Sequence, residues 1–476
     1  MSVARRVARE EWRWLARGRV ALLGVVLLTI LSAVAAVTAH DQRRVAQAER
    51  SRYQAEANRQ FANQPDRHPH RVAHYGHLLF RPLDPLAAFD PGIDPFTGSL
   101  LFLEAHRRNE ADFGDVRQSS LLVRFGQLTP AFVLQMLAPL LLIFVGHATI
   151  ARERASGMMR VMLAQGVPAT RLVAGKLVAL GGVAAVILAP AALALVWIGL
   201  HGQVPTLRLL ALAAGYALWL AIWVAAVVLA SALARRGSEA LLALLAIWSL
   251  SVIVAPRVVP VLANRLVTVP TRVEAEVAVA RDLARLGDPH DPTGARFLRF
   301  RDATLNHYGV ARIEDLPVNF RGLIAMESER QSSALFDRYA AAIADRQARQ
   351  VRLVDRLGLF FPVLALRELS MAAAETDLAA YRRFLDQGEV YRYTLVQGLN
   401  RLEAERLRYA DDIDPTKENR LSRVHWQRVP AFHFDPAAAA DTLGRVAPAG
   451  AVLLGWLLLL GALVAAATRR LTGDAR

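Results

Sequence analysis

Cysteine is absent from all 476 residues, which excludes a disulfide framework, a thiol nucleophile and any cysteine-bound metal. Part of the chain can therefore lie in an oxidising compartment without redox consequence. Lysine is almost absent as well: Lys176 and Lys417 are the only two, so the net charge of +15 is carried by arginine. No nucleic-acid motif accompanies that charge, and the arginines gather at the ends of apolar runs, so nucleic acid is not expected as a partner. The phosphate loop G-x-x-x-x-G-K-[ST] is missing, since Gly175-Lys176 is followed by Leu177. The chain is thus expected to hold no cofactor, and if it moves anything uphill, ATP and its magnesium must be used on another chain. Neither G-x-S-x-G nor H-E-x-x-H occurs, and nothing supports catalysis. Aspartate is missing from every long apolar run, and Glu239, at the very start of one, is the lone glutamate. Carriers driven by protons or sodium bind the ion at mid-membrane with such groups. Ion-driven transport is disfavoured accordingly.

What the chain has in abundance is apolar length. Hydrophobic residues make up 54%, yet charged residues still reach 21%, which combines membrane helices with sizeable aqueous parts. Measured against the ~20 residues a helix needs to cross a bilayer, six segments qualify: 20–39, 130–150, 177–200, 207–233, 238–255 and 447–467. The fold class expected is an all-α integral membrane protein with six transmembrane helices and two mainly helical insertions, 40–129 and 257–446. The first run is too long for a cleaved signal peptide, although Ala33-Val34-Ala35 has the small residues of a cleavage site. Before it, residues 1–19 set Trp12 and Trp14 among arginines, as an interfacial elbow helix on anionic lipid does. Arg17 and Arg19, Arg152 and Arg154, Arg235 and Arg236, and Arg469 and Arg470 flank span ends that share one side if both termini and the tail 468–476 are cytoplasmic. The expected location is a bacterial inner membrane with both insertions outside. Gly181-Gly182 and Gly215 read as sites of close helix packing.

Between the second and third spans lies the segment 151–176, ARERASGMMRVMLAQGVPATRLVAGK. Charges at Arg152, Glu153 and Arg154 are followed by a break at Gly157, then by Met158, Met159, Val161, Met162 and Leu163 at helical spacing, and the run ends at Gly166-Val167-Pro168 before Arg171 and Lys176. Too short to span and too apolar for a tether, it is expected to lie on the inner face and dock its Met and Leu side chains into a groove on a soluble partner. The alternative is an ordinary interfacial loop.

The first insertion opens with a polar helix at 42–61 and turns, from His74, into a stretch dense in Pro, Gly and aromatics, which predicts defined turns. His74, Tyr75, Phe80, Phe89 and Phe96 are its candidate surface for a transported substrate. His68, His70, His74 and His77 fall within ten residues, a density that transition metals use. With no cysteine and no fixed helical i, i+4 pair they read as exposed loop histidines, and no metal site is assigned. His147 and Gln135 are the notable polar groups of the second span, the histidine reading as a packed one. The second insertion shows helical periodicity at 273–286, 323–357 and 378–409, with turns at Asp288-Pro289, Asp291-Pro292-Thr293-Gly294, Leu316-Pro317 and Asp414-Pro415. The alternating charges at 345–356 read as a solvated face. GLFFPVLAL at 358–366 is apolar but short, and is expected to touch the membrane or the pore mouth. Length and specific turns together predict that both insertions fold as one cap.

Glu153-Arg154-x-x-Gly157, Gly166-Val167-Pro168, Arg171 and Gly175-Lys176 resemble the first cytoplasmic loop of ABC-2 type transporter permeases. HYGHLLFRPLDPLAAFDPGIDPFTG, LEAHRRN and RFGQL in the first insertion, with ATLNHYGVARIEDLPVNFRG and LSMAAAETDLAAYRRFLDQGEVYRYTLVQGLN in the second, resemble a bacterial branch of that family with large periplasmic loops. That branch is distantly similar to the permease of nitrous oxide reductase maturation and to gliding-motility permeases. The resemblance implies that 151–176 is a coupling helix resting on an ATP-binding subunit, present in two copies, through Glu153, Arg154, Gly157 and Leu163, and Arg152, Met158, Met162, Gly166 and Lys176 of the same segment complete the expected interface. It also implies a second permease copy or a similar permease, and export or periplasmic delivery. A different class of reading is a mechanotransmitter, in which no substrate crosses and the cap acts on an envelope protein.

Overall fold

A computed structural model describes residues 3–112, 127–287 and 295–473. Arg124, Phe125 and Gly126 of the RFGQL motif, and the turns at 288–294, lie outside the described residues.

The N-terminal helix α1 (Val3–Arg17) turns Ala8, Glu11 and Leu15 inward and leaves Trp12 and Trp14 partly exposed. Gly18 separates it from α2 (Arg19–Ala62), a single helix of 44 residues. At 1.5 Å per residue this is roughly twice the ~30 Å thickness of a bilayer core. The sequence boundary between span and polar helix at residue 40 is therefore not a break. Residues 40–62 contain no Pro or Gly and are rich in Ala, Arg, Gln and Glu, so the helix formed by the apolar half runs straight into the cap.

The second span starts at Thr129, whose Oγ1 accepts the Phe132 N–H at 3.2 Å, a capping bond that fixes where the helix begins. It passes through a widened π turn at Val133–Leu137 into α4 (Ala138–Gly146). Two short helices follow, α5 (Ala151–Ala155) and α6 (Met158–Ala164), then the spans α7 (Ala169–His201) and α8 (Thr206–Leu233). Helix α9 (Gly237–Trp248) continues through another π turn, Ser249–Val254, into α10 (Ala255–Leu266). The fifth span thus extends eleven residues past the end expected at 255, carried through Pro256 and Pro260. The last span is α16 (Ala439–Gly473). Six helices among the described residues are long and apolar enough to cross a membrane.

Helix α8 is the most buried of the six and forms the centre of the bundle. Its Trp219 donates Nε1–H to the Leu134 carbonyl at 3.1 Å and meets Trp223 edge to face at 5.7 Å. Gly215 and Gly182 are both close-approach points: a Cβ would meet Leu369 Cδ2 at 2.7 Å in the first case and Trp12 Cζ2 at 2.7 Å in the second. Gly181 has nothing within 4 Å and lines an apolar groove with Ala184, Leu457 and Gly461 instead of packing within the chain.

The cap is built from both insertions. In the first, α3 (Pro69–Tyr75) leads into the antiparallel pair β1 (His77–Phe80) and β2 (Leu100–Leu103), with His77 opposite Leu103 and Phe80 opposite Leu100. In the second, α11 (Arg272–Leu286), α12 (Ala295–Tyr308), α13 (Phe320–Gly358), α14 (Pro362–Ala374) and α15 (Leu378–Arg406) follow one another. Phe61 and Val72 from one insertion share a core with Leu395, Leu399 and Trp426 from the other. Trp426 also donates Nε1–H to the Gln64 carbonyl at 3.2 Å, and Arg108 pairs with Asp337 at 2.8 Å and Asp386 at 3.0 Å. Of the charges expected to form a solvated face on α13, Asp345, Arg346, Arg349, Arg352 and Arg356 are exposed, whereas Asp355 is half-buried and hydrogen-bonded with Glu368.

The short apolar run at 358–366 does more than touch the bundle. Leu359 and Phe360 are exposed, but Pro362 starts α14, whose Val363, Leu366 and Leu369 are buried among the spans. Arg208, at the start of α8, donates Nε–H to the Ala373 carbonyl at 2.7 Å and pairs with Asp84 at 2.7 Å. Cap and bundle are joined there by packed helices.

Candidate functional site

At the end of the bundle away from the cap, three elements meet on one carboxylate. Glu11 of α1 is only 4% exposed. It accepts from Thr149 Oγ1 at 2.8 Å, from Arg152 Nη2 at 3.2 Å and from Lys176 Nζ at 2.5 Å. Lys176, 2% exposed, also binds Glu153. Two acids and two bases make this quartet formally neutral, as burial of charge requires. The Arg152 guanidinium additionally lies over the Trp14 ring, 3.7 Å from its centroid, a cation–π contact that fixes α1 from its exposed side. Gly175 allows the approach: a Cβ there would lie 2.6 Å from Val7 Cβ.

Arg154 points the other way. Its Nη1 and Nη2 donate to the carbonyls of Ala234 at 2.8 Å and Ala232 at 2.7 Å, the free carbonyls at the end of α8. Ser231 Oγ accepts from the N–H groups of Ile150 at 2.9 Å and Ala151 at 3.1 Å. The segment 151–155 is thereby tied to α1, α7 and α8 together.

These contacts correct part of the expected docking surface. Arg152, Glu153, Arg154 and Lys176 all bind partners within the chain, Lys176 wholly buried and Arg152 still partly exposed. What faces outward is α6. Gly157 adopts φ 73° and Gly166 φ 80°, left-handed values that a side chain at either place would strain. At Gly166 the N–H bonds the Leu163 carbonyl and the Val167 N–H bonds the Met162 carbonyl, at 3.0 and 3.1 Å, the double bond of a Schellman stop. Between these stops Met159 is buried and Leu163 packs on the core, while Met158 is 53% and Val161 50% exposed and Met162 is half-buried. Leu163 therefore belongs to the inner face.

At the cap end, Asp90 reaches down to the spans. Gln135 Nε2 donates to Tyr216 OH at 2.8 Å, Tyr216 OH lies 2.9 Å from Ser370 Oγ, and Ser370 Oγ donates to Asp90 Oδ2 at 2.5 Å. Burial pushes the Asp90 carboxyl up from its ordinary value, and its hydrogen bond from Ser370 acts in the opposite direction. The sequence reading missed Asp90 because it lies in a loop, and missed Glu11 because it is an isolated acid in an arginine-rich helix; only contacts across the fold reveal either. His147 is satisfied locally, its Nδ1 lying 3.0 Å from the Phe144 carbonyl.

The candidate surface of the first insertion divides. His74, Tyr75 and Phe96 are exposed, Phe80 is half-buried and stacked on Tyr53 at 5.8 Å. Phe89 is a correction: it is buried in the bundle core, edge-on to Tyr216 at 5.2 Å. It anchors the cap and presents no surface.

Residues 5–296 match the family model described as ABC-2 family transporter protein. Residues 272–435 match a domain of unknown function (DUF3526). No curated protein matches the chain, so the likeness to nitrous oxide reductase maturation and gliding-motility permeases gains no support there.

Proposed function

Because the chain belongs to the ABC-2 transporter family, a family of multi-pass membrane permeases that work with an ABC ATP-binding subunit, we propose that it is the permease of an ATP-driven exporter whose α6 is the contact with that subunit. The observation that carries this reading is the outward apolar face of Met158 and Val161, held between two glycine stops on a segment braced by buried charge. Closure of two ATP-binding subunits pushes on α6. Through α5 and the Glu11, Arg152, Glu153 and Lys176 quartet the push reaches α1 and α7 together, so the spans tilt as a unit. Both termini lie on the cytoplasmic side of an inner membrane, the cap stands outside, and a second permease copy completes the pore.

One observation favours the mechanotransmitting alternative. The seat of α14 among the spans, with Arg208 on Ala373 and Asp84, ties the cap to the bundle, so span motion pulls on the cap directly. Under either reading the ATPase contact is the same. Co-expression with the ATP-binding subunit tests it: Met158→Asp with Val161→Asp is expected to abolish co-purification and ATP-dependent activity. Assembly and activity equal to the parent chain would remove α6 from the role.

A further inference from the structure

The histidines of the first insertion do not behave as a loop. Of the four that cluster in sequence, two leave the group. His68 caps α3 by accepting the His70 N–H on Nδ1 at 3.2 Å and holds Asp412 through Nε2 at 2.9 Å. His77 is buried on β1 against Phe61, ring centroids 4.9 Å apart, and burial pushes it down to about 4, a neutral core histidine. The other two do form an i, i+4 pair, contrary to the sequence expectation, because Pro69 at the first helical position turns 69–75 into a helix. His70 and His74 bring their Nε2 atoms to 3.1 Å.

A third imidazole arrives from elsewhere. His106 follows β2 and stands with its ring 5.7 Å from that of His70 and 5.5 Å from that of His74, centroid to centroid. One ring nitrogen from each of the three lies within 4.8 Å of the others. His106 holds this place at φ 60°, a left-handed value that costs a non-glycine residue about 1 kcal/mol or more and recurs at functional sites. Glu329, wholly buried, holds it there: its Oε2 accepts the His106 backbone N–H at 3.0 Å and lies 3.2 Å from His106 Nδ1. Arg392 at 2.6 Å and Ser333 at 3.1 Å hold Glu329 in turn. At 3.2 Å from Nδ1 the Glu329 carboxylate is placed to take that proton from a neutral imidazole and leave the lone pair on Nε2, the way carboxylates orient metal-binding histidines.

We propose that His70, His74 and His106 form a three-imidazole site on the cap for a late first-row divalent ion of the zinc class, with its fourth position open to solvent or to an exchanging ligand. The donor set fits: three neutral imidazoles without thiolate suit zinc, copper, nickel or cobalt and not magnesium or calcium. So does the spacing, since tetrahedral bonds of ~2.0–2.1 Å place ligand nitrogens about 3.3 Å apart. His74 is exposed while His70 and His106 are half-buried, which opens the site on one side. The inference needs only the cap and does not depend on the transport reading.

The test uses the full chain, purified in detergent without a histidine tag. Titration with Zn2+ against a chromogenic chelator is expected to give one ion per chain, and Co2+ to give the intense visible bands of a tetrahedral site. His74→Ala and His106→Ala each weaken Zn2+ by a hundredfold or more, and Glu329→Gln by about 10- to 100-fold, the usual effect of losing an orienting carboxylate. His433→Ala, at an exposed histidine outside the group, leaves binding unchanged. Should Glu329→Gln fail to fold, protection of His74 from diethyl pyrocarbonate by Zn2+ in the parent chain supplies the readout. Absence of stoichiometric Zn2+ and of the Co2+ bands would show only a hydrogen-bonded histidine pair and overturn the site. Equal affinity in a His70→Ala, His74→Ala double variant would overturn it too.

Discussion

The two lysines of this chain sit in opposite environments, and replacing each by methionine separates them. Lys176→Met keeps the length and removes the ammonium that Glu11 and Glu153 share. The quartet then goes from neutral to one uncompensated negative charge at a place where Glu11 is 4% exposed. Two charges 4 Å apart interact by about 4 kcal/mol at an effective dielectric of ~20, and breaking a buried pair from one side costs about 3–5 kcal/mol. We expect a loss of about 4 kcal/mol, read by chemical unfolding in detergent through Trp12 and Trp14 on the neighbouring helix. Glu11→Gln added to Lys176→Met removes the orphaned charge and recovers about half of the loss. Lys417→Met, at an exposed pair with Asp411, leaves the unfolding midpoint where it was. A Lys176→Met loss below about 1 kcal/mol, the size of an exposed pair, or strict additivity with Glu11→Gln, would refute the claim that buried charge braces this end.

Other outcomes follow from the same geometry. Burial pushes the Glu403 carboxyl up to about 7 from an ordinary 4.5, so the folded chain holds a proton that the unfolded chain gives up; the resulting penalty is absent below 4.5, grows as pH rises and is complete above 7, about 3 kcal/mol for this shift. Glu403→Gln should therefore stabilise the cap at pH 8 and not at pH 4.5, and an equal effect at both would contradict the assignment. Gly175→Val places side-chain atoms against Val7 and the Ala4 carbonyl and should detach α1 at a cost of about 1–3 kcal/mol, seen as a red shift of tryptophan emission; an unshifted spectrum would count against the α1 to α7 packing. Reporter fusions after Arg236 and Arg470 should read cytoplasmic and fusions at Pro65 and Pro415 periplasmic, and a cytoplasmic signal from Pro415 would overturn the orientation.

The spans were legible because bilayer thickness imposes a length on apolar runs, and α8, α7 and α16 all contain the runs expected of them. Their ends were less so. Nothing in the composition of 40–62 ends a helix, and proline at 256 did not stop the fifth span because a π turn precedes it. The turn chemistry of the segment 151–176 was also legible: Gly157 and Gly166 mark the stops of α6. The roles of its charges were not, because whether Arg152 faces a partner or Glu11 depends on a residue 141 positions away. The same limit hid the histidine group, whose third member comes from beyond the β1–β2 hairpin, and hid Asp90, which is a loop residue by sequence and a span neighbour by contact.

A single engineered thiol tests the central claim most directly, since the chain has no cysteine of its own. Val161→Cys, in a complex with the ATP-binding subunit and treated with a short thiol cross-linker, is predicted to join the two chains, and to do so differently with and without ATP. Ile413→Cys, equally exposed on the cap, is predicted to give no such product. Cross-linking from Ile413→Cys and none from Val161→Cys would place the ATPase at the wrong end of the molecule and contradict the account.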